Sequence, residues 1–299
     1  MRHLYEFISL KHPDRLCDYL VSCLLDYCIS KDEYLDFRVE CSLFDHNLTF
    51  NGYININYEI SYRSLQRIIK KKLKELDLQK YSFEFKIKLN CFQNKERDFT
   101  GKGIYYGLAT NNVPYYLPSL YQNFKLLDNI LQRNYKSYYK FIAIDNYSNL
   151  DFSLILTNTK EIGPSYVFKD KVNTIYKDIK NVYGNTGRKL CFDYYSGLIP
   201  NNGGSPWGKD PYNADLTLNI YARKLAIDLI KSNDKYKYVL CKLFYLGNNT
   251  AIIEYYDEHN KILISSRNIK ITADLVEKLG LNKPIYEQMC KKGLVFSII

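Results

Sequence analysis

Residues 184–215 read GNTGRKLCFDYYSGLIPNNGGSPWGKDPYNAD and concentrate opposite charges and glycines in one window. The members that carry chemistry are Arg188, Lys189, Gly203, Gly204, Gly208, Lys209, Asp210 and Asp215. Arginine and lysine bind phosphate oxygens, and glycine lets a backbone approach them closely because it has no Cβ. Carboxylates supply the hard oxygen ligands that suit Mg²⁺. The window therefore predicts a polyphosphate site that uses a metal.

Two other interpretations of this window stay open. Gly203–Lys209 has the spacing GxxxxGK of a P-loop, but Asp210 stands where a P-loop has Ser or Thr to hold Mg²⁺. Pro200 and the two asparagines after it also indicate an irregular approach to the loop and not a strand. The second alternative is a glycine-rich surface hairpin whose charges are incidental.

A second segment, HPDRLCDYL at residues 12–20, opens a predicted helix. Apolar residues recur at a helical period after Pro13, so His12, Asp14 and Arg15 lie at the helix N-terminus. The unpaired N–H groups and partial positive charge of that end favour anions. The alternative is a helix cap by Asp14 beside a surface histidine and arginine.

Both segments resemble motifs of the S-adenosylmethionine synthetase (methionine adenosyltransferase) family. HPDRLCDYL is similar to GHPDKxxDQI, and GNTGRKLCFDYYSG…NNGGSPWGKDP is similar to GLTGRKxxVDTYGG…HGGGAFSGKDP. The two motifs lie far apart and in the family's order, so together they are much more specific than either alone. Shorter similarities begin at Arg38, Gly101, Asn134 and Asn282. The resemblance thus spans nearly the whole chain, which is shorter than the family usually is.

The hydrophobic pattern predicts an α+β fold. Helices are predicted over residues 13–30, 61–77, 116–133, 166–180, 214–232 and 271–279. Strands are predicted over residues 37–44, 48–57, 83–92, 140–144, 152–157, 189–195, 236–246 and 251–256. The resemblance implies three similar, interleaved βαβ-type repeats in a pseudo-threefold arrangement and a sheet-to-sheet dimer. Approximate repeat boundaries are 1–98, 99–182 and 183–299.

The family's reaction has two steps. The sulfur of L-methionine attacks C5′ of ATP and releases triphosphate, which is then hydrolysed to phosphate and diphosphate with Mg²⁺ and K⁺ as cofactors. The resemblance assigns catalytic roles to His12, Lys136, Arg188, Lys189 and Lys209. It assigns substrate or phosphate contacts to Arg15, Tyr53, Gly203, Gly204 and Asp210. Metal binding falls on Asp14 and Asp215 for Mg²⁺ and on Glu40 for the monovalent cation.

Several positions depart from the family pattern. Tyr53 and Gly101 align with the Glu and Asp that hold the methionine amino group. Ser42 aligns with the Glu of the monovalent-cation site, although Glu40 lies two residues away and points to the same side of a strand. Asn213 aligns with a phosphate-binding Lys. Two segments are also shortened: the adenine-binding segment near residues 179–183 and the active-site loop near residues 94–100.

Losing one partner of a buried charge pair costs about 2–5 kcal/mol, so the departures at Tyr53 and Gly101 weaken the expected binding of methionine. Three hypotheses follow. The first is an active, divergent synthetase with a rebuilt methionine site. The second is a related ATP-dependent enzyme with another nucleophile or with triphosphatase activity only. The third is a non-catalytic or half-site subunit that pairs with a more complete synthetase chain. The partner in solution is therefore predicted to be either a second copy of the chain or that other chain.

Composition limits the remaining classes. The 299 residues are 46% hydrophobic and 25% charged, which is typical of a globular domain. No signal peptide or membrane-spanning run is recognisable, and the eight cysteines show no paired spacing, so a reducing cytoplasm and no membrane partner are predicted. The net charge is +10, but the basic residues form no single stripe, so no nucleic-acid partner is predicted.

Overall fold

The computed structural model describes residues 3–92, 97–134, 139–146, 149–157, 172–177 and 182–298. In these ranges the strands are β1 (His3–Ile8), β2 (Asp36–Phe44), β3 (Asn47–Ile56), β4 (Ser82–Cys91), β5 (Gly103–Thr110), β6 (Tyr139–Asn146), β7 (Asn149–Thr157), β8 (Val172–Lys177), β9 (Tyr183–Asn185), β10 (Tyr238–Gly247), β11 (Thr250–Tyr256) and β12 (Ile262–Lys270). The helices are α1 (Pro13–Ile29), α2 (Tyr62–Glu75), α3 (Ser119–Asn134), α4 (Leu190–Asp193), α5 (Ala214–Ser232), α6 (Asp274–Lys278) and α7 (Tyr286–Lys292).

The described strands form three four-stranded sheets, ordered β9-β2-β3-β4, β1-β6-β7-β8 and β5-β10-β11-β12. Each is built on an antiparallel hairpin, which is β2–β3, β6–β7 or β10–β11, and in the last sheet β12 also pairs antiparallel with β11. On one side, a strand from a distant part of the chain pairs with the hairpin, and on the other side the next strand in sequence does. The α+β prediction is confirmed. The pseudo-threefold arrangement, the sheet-to-sheet dimer and the repeat boundaries stay predictions.

Helix α1 is the central helix beneath the β9-β2-β3-β4 sheet. Pro13 occupies its first turn, where the missing N–H costs nothing, and the side chain of His12 caps the helix by accepting the backbone N–H of Asp14. Strand β2 alternates buried and outward residues, with Val39 and Cys41 among the buried ones. Because the inner face of β2 packs against α1, the polar residues of β2 point to the opposite face.

Helix α5 lies against β5 and β10 at very close range. A Cβ at Gly107 would lie 2.1 Å from the carbonyl carbon of Ala222, so only glycine permits this approach of strand and helix. The buried Arg223 donates to the backbone carbonyls of Leu108, Tyr115 and Val295, which ties α5 to the loop after β5 and to the C-terminal turn. The start of α5 is thereby fixed next to the glycine-rich loop.

Two predicted elements are wrong. The strand predicted over residues 189–195 is instead the short helix α4, followed by a turn in which Tyr195 and Ser196 have φ of 62° and 50°. Such angles end any extended segment. The helix predicted over residues 166–180 contains strand β8, and the rest of that range lies outside the described residues. In the part of the chain that is described, no helix has the length and apolar character needed to cross a membrane.

Candidate active site

The N-terminus of α1 meets strand β9, and this contact joins the two sequence motifs. Asp14 Oδ1 accepts the backbone N–H of Asn185 at 2.9 Å, and Asp14 Oδ2 lies 2.7 Å from Lys189 Nζ. A Cβ at Gly184 would lie 2.4 Å from the carbonyl carbon of Pro13, so the contact requires glycine there. The fold thus pairs a predicted metal ligand with a predicted phosphate-binding lysine.

His12 sits at the same helix end with its side chain 18% exposed. Burial, and after it the positive charge of Lys189, lowers the pKa of His12 to about 4. The imidazole is therefore neutral at pH 7, with Nδ1 accepting from Asp14 N at 3.2 Å. Because Nδ1 is the acceptor, the hydrogen-bond pattern assigns the ring proton to Nε2, which makes that nitrogen a donor.

A second lysine–aspartate pair lies at the start of α5. Lys209 Nζ is 2.5 Å from Asp215 Oδ2, and Asn202 donates to Asp215 Oδ1 at 3.0 Å. Asn213 caps α5 by accepting the backbone N–H of Asp215 at 3.0 Å. A Cβ at Gly204 would lie 2.4 Å from the carboxyl carbon of Asp215, so the glycine-rich loop folds directly over this carboxylate.

The two glycine-containing segments meet over the outer face of β2. A Cβ at Gly187 would lie 2.6 Å from the side chain of Ser205, and the backbone N–H of Val39 donates to the Gly208 carbonyl at 3.0 Å. Between loop and sheet is a cavity of about 500 Å³. Its lining includes five of the predicted site residues, namely Glu40, Tyr53, Gly203, Gly204 and Lys209.

Two of the predicted substrate contacts are buried. Arg15 is 1% exposed, and its guanidinium donates to Asp193 Oδ1 at 3.0 Å, to Asp18 Oδ2 at 3.3 Å and to a backbone carbonyl. Asp210 is also 1% exposed, and its oxygens accept the backbone N–H groups of Phe37 and Tyr212 at 3.0 and 2.8 Å. Both groups are held by protein partners, and their contact with a phosphate stays a prediction.

The remaining predicted residues differ in their surroundings. Arg188 is exposed, with its guanidinium 5.1 Å from the centre of the Tyr183 ring. Tyr53 donates to Asp36 Oδ1 at 3.4 Å, and burial followed by the nearby Asp36 raises its pKa. Glu40 is exposed on β2. Lys136 lies outside the described residues.

Comparisons with known proteins bear on this site. The family model described as "S-adenosylmethionine synthetase, C-terminal domain" matches residues 179–297. S-adenosylmethionine synthases of Zymomonas mobilis and Mycoplasma capricolum are 20% and 23% identical, and each alignment covers 96% of this chain and 91% or 90% of the relative. The structure of an unusual S-adenosylmethionine synthetase from Campylobacter jejuni matches with a TM-score of 0.76 at 16% identity, covering 98% of this chain and 94% of that one.

The likeness extends over nearly the whole chain both in sequence and in fold, and it includes both motifs of the candidate site. The chain is a divergent, shortened relative of the S-adenosylmethionine synthetase family. The alignment with the Zymomonas synthase runs over 357 positions, whereas this chain has 299 residues, so that relative carries segments that this chain lacks.

The residues present fit the Mg²⁺ that the S-adenosylmethionine synthetase resemblance implies. Asp14 and Asp215 each hold a lysine ammonium. In a metal–polyphosphate complex, the metal ion would meet these carboxylates and the phosphates would meet the lysines. Among the described residues no three His, Cys, Asp or Glu side chains converge on one point. This agrees with the usual Mg²⁺ site, in which one or two carboxylates share the ion with substrate phosphates.

Sequence reasoning missed the residues that anchor the synthetase motifs. Asp18 is fully buried and accepts the backbone N–H of Gly187 at 2.7 Å, which fixes the GNTG loop against α1. Its position one helical turn after Asp14 was a usable signal. Asp193 and Asn202 had no comparable signal, because they act through contacts with Arg15 and Asp215 that only the fold creates.

Proposed function

We propose that the chain is an S-adenosylmethionine synthetase-like adenosyltransferase. In this reaction a lone pair on the methionine sulfur forms a bond to C5′ of ATP, and the bond between C5′ and the triphosphate oxygen breaks. Water then cleaves the triphosphate, so ATP, L-methionine and water give S-adenosylmethionine, phosphate and diphosphate. The observation that carries the proposal is the presence of two lysine–aspartate pairs on segments that touch at Gly187 and Ser205.

The lysines would neutralise the triphosphate. The side chains of Lys189 and Lys209 are 19% and 20% exposed, so each retains access to solvent while an aspartate holds it in place. Positive groups fixed in a partly enclosed site stabilise charge that develops on a leaving group, and each such group typically contributes about 3 kcal/mol. Arg188 is exposed at the same loop and would supply further charge.

Neutral His12 would donate from Nε2 to the oxygen that departs from C5′. Because its pKa is about 4, it performs this role without adding a full charge near pH 7. Asp14 and Asp215 would hold Mg²⁺, which supplies charge neutralisation between the phosphates when it is bound. K⁺, the contribution of Lys136, a homodimer and a cytoplasmic location belong to the same proposal.

Lysine 209 provides the test of this function. The purified chain, incubated with ATP, methionine, Mg²⁺ and K⁺, should form S-adenosylmethionine that mass spectrometry detects. Lys209→Met should lower the turnover by about 100-fold or more, because one electrostatic contact of this kind is worth that much. Lys278→Met is the matched control, since Lys278 also pairs with an aspartate, Asp274, but far out on the surface. Equal turnover of both variants would contradict the role of Lys209.

A half-site subunit is the second candidate function. Tyr53 occupies the position where the family has a methionine-binding Glu, and its hydroxyl is bonded to Asp36. This candidate predicts no product from the chain alone and product after co-expression with a longer synthetase chain. Hydrolysis of added tripolyphosphate without any adenosyl transfer would instead favour the triphosphatase alternative.

A further inference from the structure

The cavity beside the glycine-rich loop has a charged wall on its sheet side. Arg38 and Glu40 are two residues apart on β2 and point to the same outer face, so their Cα atoms are about 7 Å apart. Across the hairpin, Tyr53 lies opposite Arg38 and Asn51 lies opposite Glu40. Gly52 between them keeps the hairpin tight, since a Cβ there would lie 1.9 Å from the Arg38 carbonyl oxygen.

Arg38 and Glu40 are charged, and neither forms an ion pair with another of the described residues. The contact of the Arg38 guanidinium is with a neutral hydroxyl, Thr100 Oγ1, at 3.1 Å. Within the described ranges no carboxylate lies within 4.0 Å of the Arg38 guanidinium, and Glu40 makes neither an ion pair nor a hydrogen bond. Lys209, which also lines the cavity, differs from Arg38 and Glu40 because its ammonium is paired with Asp215 at 2.5 Å.

Two unpaired opposite charges on one wall select the chemistry of the ligand. A simple anion would be attracted by Arg38 but repelled by Glu40, and a polyamine would meet the reverse pattern. A zwitterion satisfies both groups. The cavity lining also includes Trp207 and Gly208, and the Trp207 side chain is largely buried. Aromatic rings make favourable contacts with apolar and thioether side chains.

We infer that Arg38 and Glu40 bind the carboxylate and the ammonium group of a free α-amino acid, whose side chain points toward Trp207. This inference rests on the proposed adenosyl transfer, in which the amino acid is the nucleophile methionine. The triphosphate lysine Lys209 lines the same cavity, so the amino acid and the phosphates would be neighbours. The pair would replace the Glu and Asp that this chain lacks at Tyr53 and Gly101.

The decisive experiment compares methionine with two analogues that each lack one charge. These are methionine amide, which has no carboxylate, and 2-hydroxy-4-(methylthio)butanoate, which has no ammonium. Glu40→Gln should raise the KM for methionine at least about 30-fold and abolish the preference for methionine over the hydroxy analogue. Arg38→Met should likewise raise the KM for methionine at least about 30-fold and abolish the preference for methionine over methionine amide. The KM for ATP and the hydrolysis of tripolyphosphate should change less than about twofold.

Glu84→Gln and Lys88→Met are matched controls, because both residues are exposed on β4 of the same sheet. Their methionine KM should stay at the wild-type value. An unchanged methionine KM in Glu40→Gln, or a change only in activation by K⁺, would overturn the inference.

Calorimetric titration of methionine into the full chain with tripolyphosphate separates this inference from the proposed function. The inference stands and the proposed function fails if three results are found together: methionine binds to the wild-type chain, Glu40→Gln abolishes that binding, and no S-adenosylmethionine forms. If S-adenosylmethionine forms with the same KM in both proteins, the function stands and the inference fails. If methionine does not bind to the wild-type chain at all, the inference is overturned.

Discussion

Lys189 and Lys209 illustrate how single residues serve two purposes in this site. Each ammonium is held by one aspartate at 2.5–2.7 Å, yet each side chain keeps about a fifth of its surface in solvent. The aspartates fix the position of the cation and offer the oxygens that a metal needs. Their placement depends on glycines, because Gly184 and Gly204 lie where any Cβ would overlap a neighbour.

Gly204→Ala tests this dependence on glycine. The added Cβ would lie 2.4 Å from the Asp215 carboxyl carbon, so the carboxylate must shift away from Lys209. We expect turnover in S-adenosylmethionine formation to fall about tenfold or more, with a cooperative urea unfolding transition retained. Gly280→Ala is the control: Gly280 has φ of +68° with open space around it, so the change should cost about 1 kcal/mol of stability and no activity. Equal effects on turnover would contradict the account.

Arg15 provides a test of a positioning role, because its guanidinium is held by two buried aspartates. Burial alone would lower the pKa of Arg15, but its neighbours, including Asp193 and Asp18, more than offset this and raise it. Arg15→Met would leave both aspartates buried without their cation, so the free energy of unfolding should fall by about 3–5 kcal/mol in urea titration. Arg267→Met, on the exposed surface, should change it by less than about 0.5 kcal/mol.

If Arg15→Met does not fold, Arg15→Lys provides the second measurement. Lysine keeps the charge but cannot make the forked contacts, so an intermediate loss of stability is expected. Wild-type stability in either variant would contradict the positioning role.

The elements that sequence predicted well are those with a repeating pattern. Helices α1, α2, α3 and α5 follow the apolar period of 3.6, and strands β2 and β3 follow alternation. Residues 189–195 are predicted as a strand because the segment is rich in aromatic residues. Its true conformation is decided by tertiary contacts, since Asp193 must reach Arg15 and Ser196 must reach the carbonyl of Glu6. No local pattern encodes such contacts.

The candidate site was predictable to a similar extent. The motif residues Asp14, Lys189, Lys209 and Asp215 are brought together in pairs, as their chemistry suggested. Pairing partners from distant segments were beyond the sequence, because hydrogen bonds such as that from Gly187 to Asp18 depend on the packing of β9 against α1. The burial of Arg15 was also beyond the sequence, because its aspartate partner Asp193 comes from a distant segment.

Helix α7 supplies a prediction at the scale of elements. Glu287 near its start joins three helices, accepting from Tyr19 of α1 at 3.0 Å, from Lys72 of α2 at 2.9 Å and from Lys291 at 2.7 Å. Burial alone would raise the pKa of Glu287, but the hydrogen bonds from Lys291 and Lys72 outweigh it and lower the pKa to about 2. The carboxylate therefore stabilises the folded state at every pH above about 4.5.

Glu287→Gln should lower the free energy of unfolding by about 2 kcal/mol at pH 7. The unfolded chain binds a proton near pH 4.5 and the folded chain only near pH 2, so this contribution is lost as pH falls through that range. Urea titrations at pH 7, 5, 4 and 3 should show the difference between wild type and variant shrinking below pH 4.5. Glu258→Gln, at an exposed residue beside His259, should show no such difference. A gap as large at pH 3 as at pH 7 would contradict the assignment.

At the scale of the whole molecule, each of the three sheets formed by the described strands combines a hairpin with a strand from a distant part of the chain. Segments far apart in sequence therefore cannot separate without breaking these sheets. The fold agrees with a synthetase structure at 16% identity, whereas the substrate-binding positions differ from the family pattern at Tyr53 and Gly101. The fold has thus stayed closer to the family than the residues at these two positions have.

The assembly of the chain is a further prediction. The outer face of the β9-β2-β3-β4 sheet carries the cavity and contains the exposed residues Phe44 and Tyr183. We expect the purified chain to form a homodimer of twice 35.3 kDa in light scattering during gel filtration. A strictly monomeric chain that dimerises only with a longer synthetase would instead support the half-site alternative.

The central claim is that this chain transfers the adenosyl group of ATP to methionine by expelling triphosphate. Its most direct measurement is mass spectrometry of the products after incubating the purified chain with ATP, methionine, Mg²⁺ and K⁺. The account predicts equal amounts of S-adenosylmethionine, phosphate and diphosphate, all lost in Lys209→Met and retained in Lys278→Met. Release of phosphate without S-adenosylmethionine, or no reaction with or without a longer synthetase chain, would contradict it.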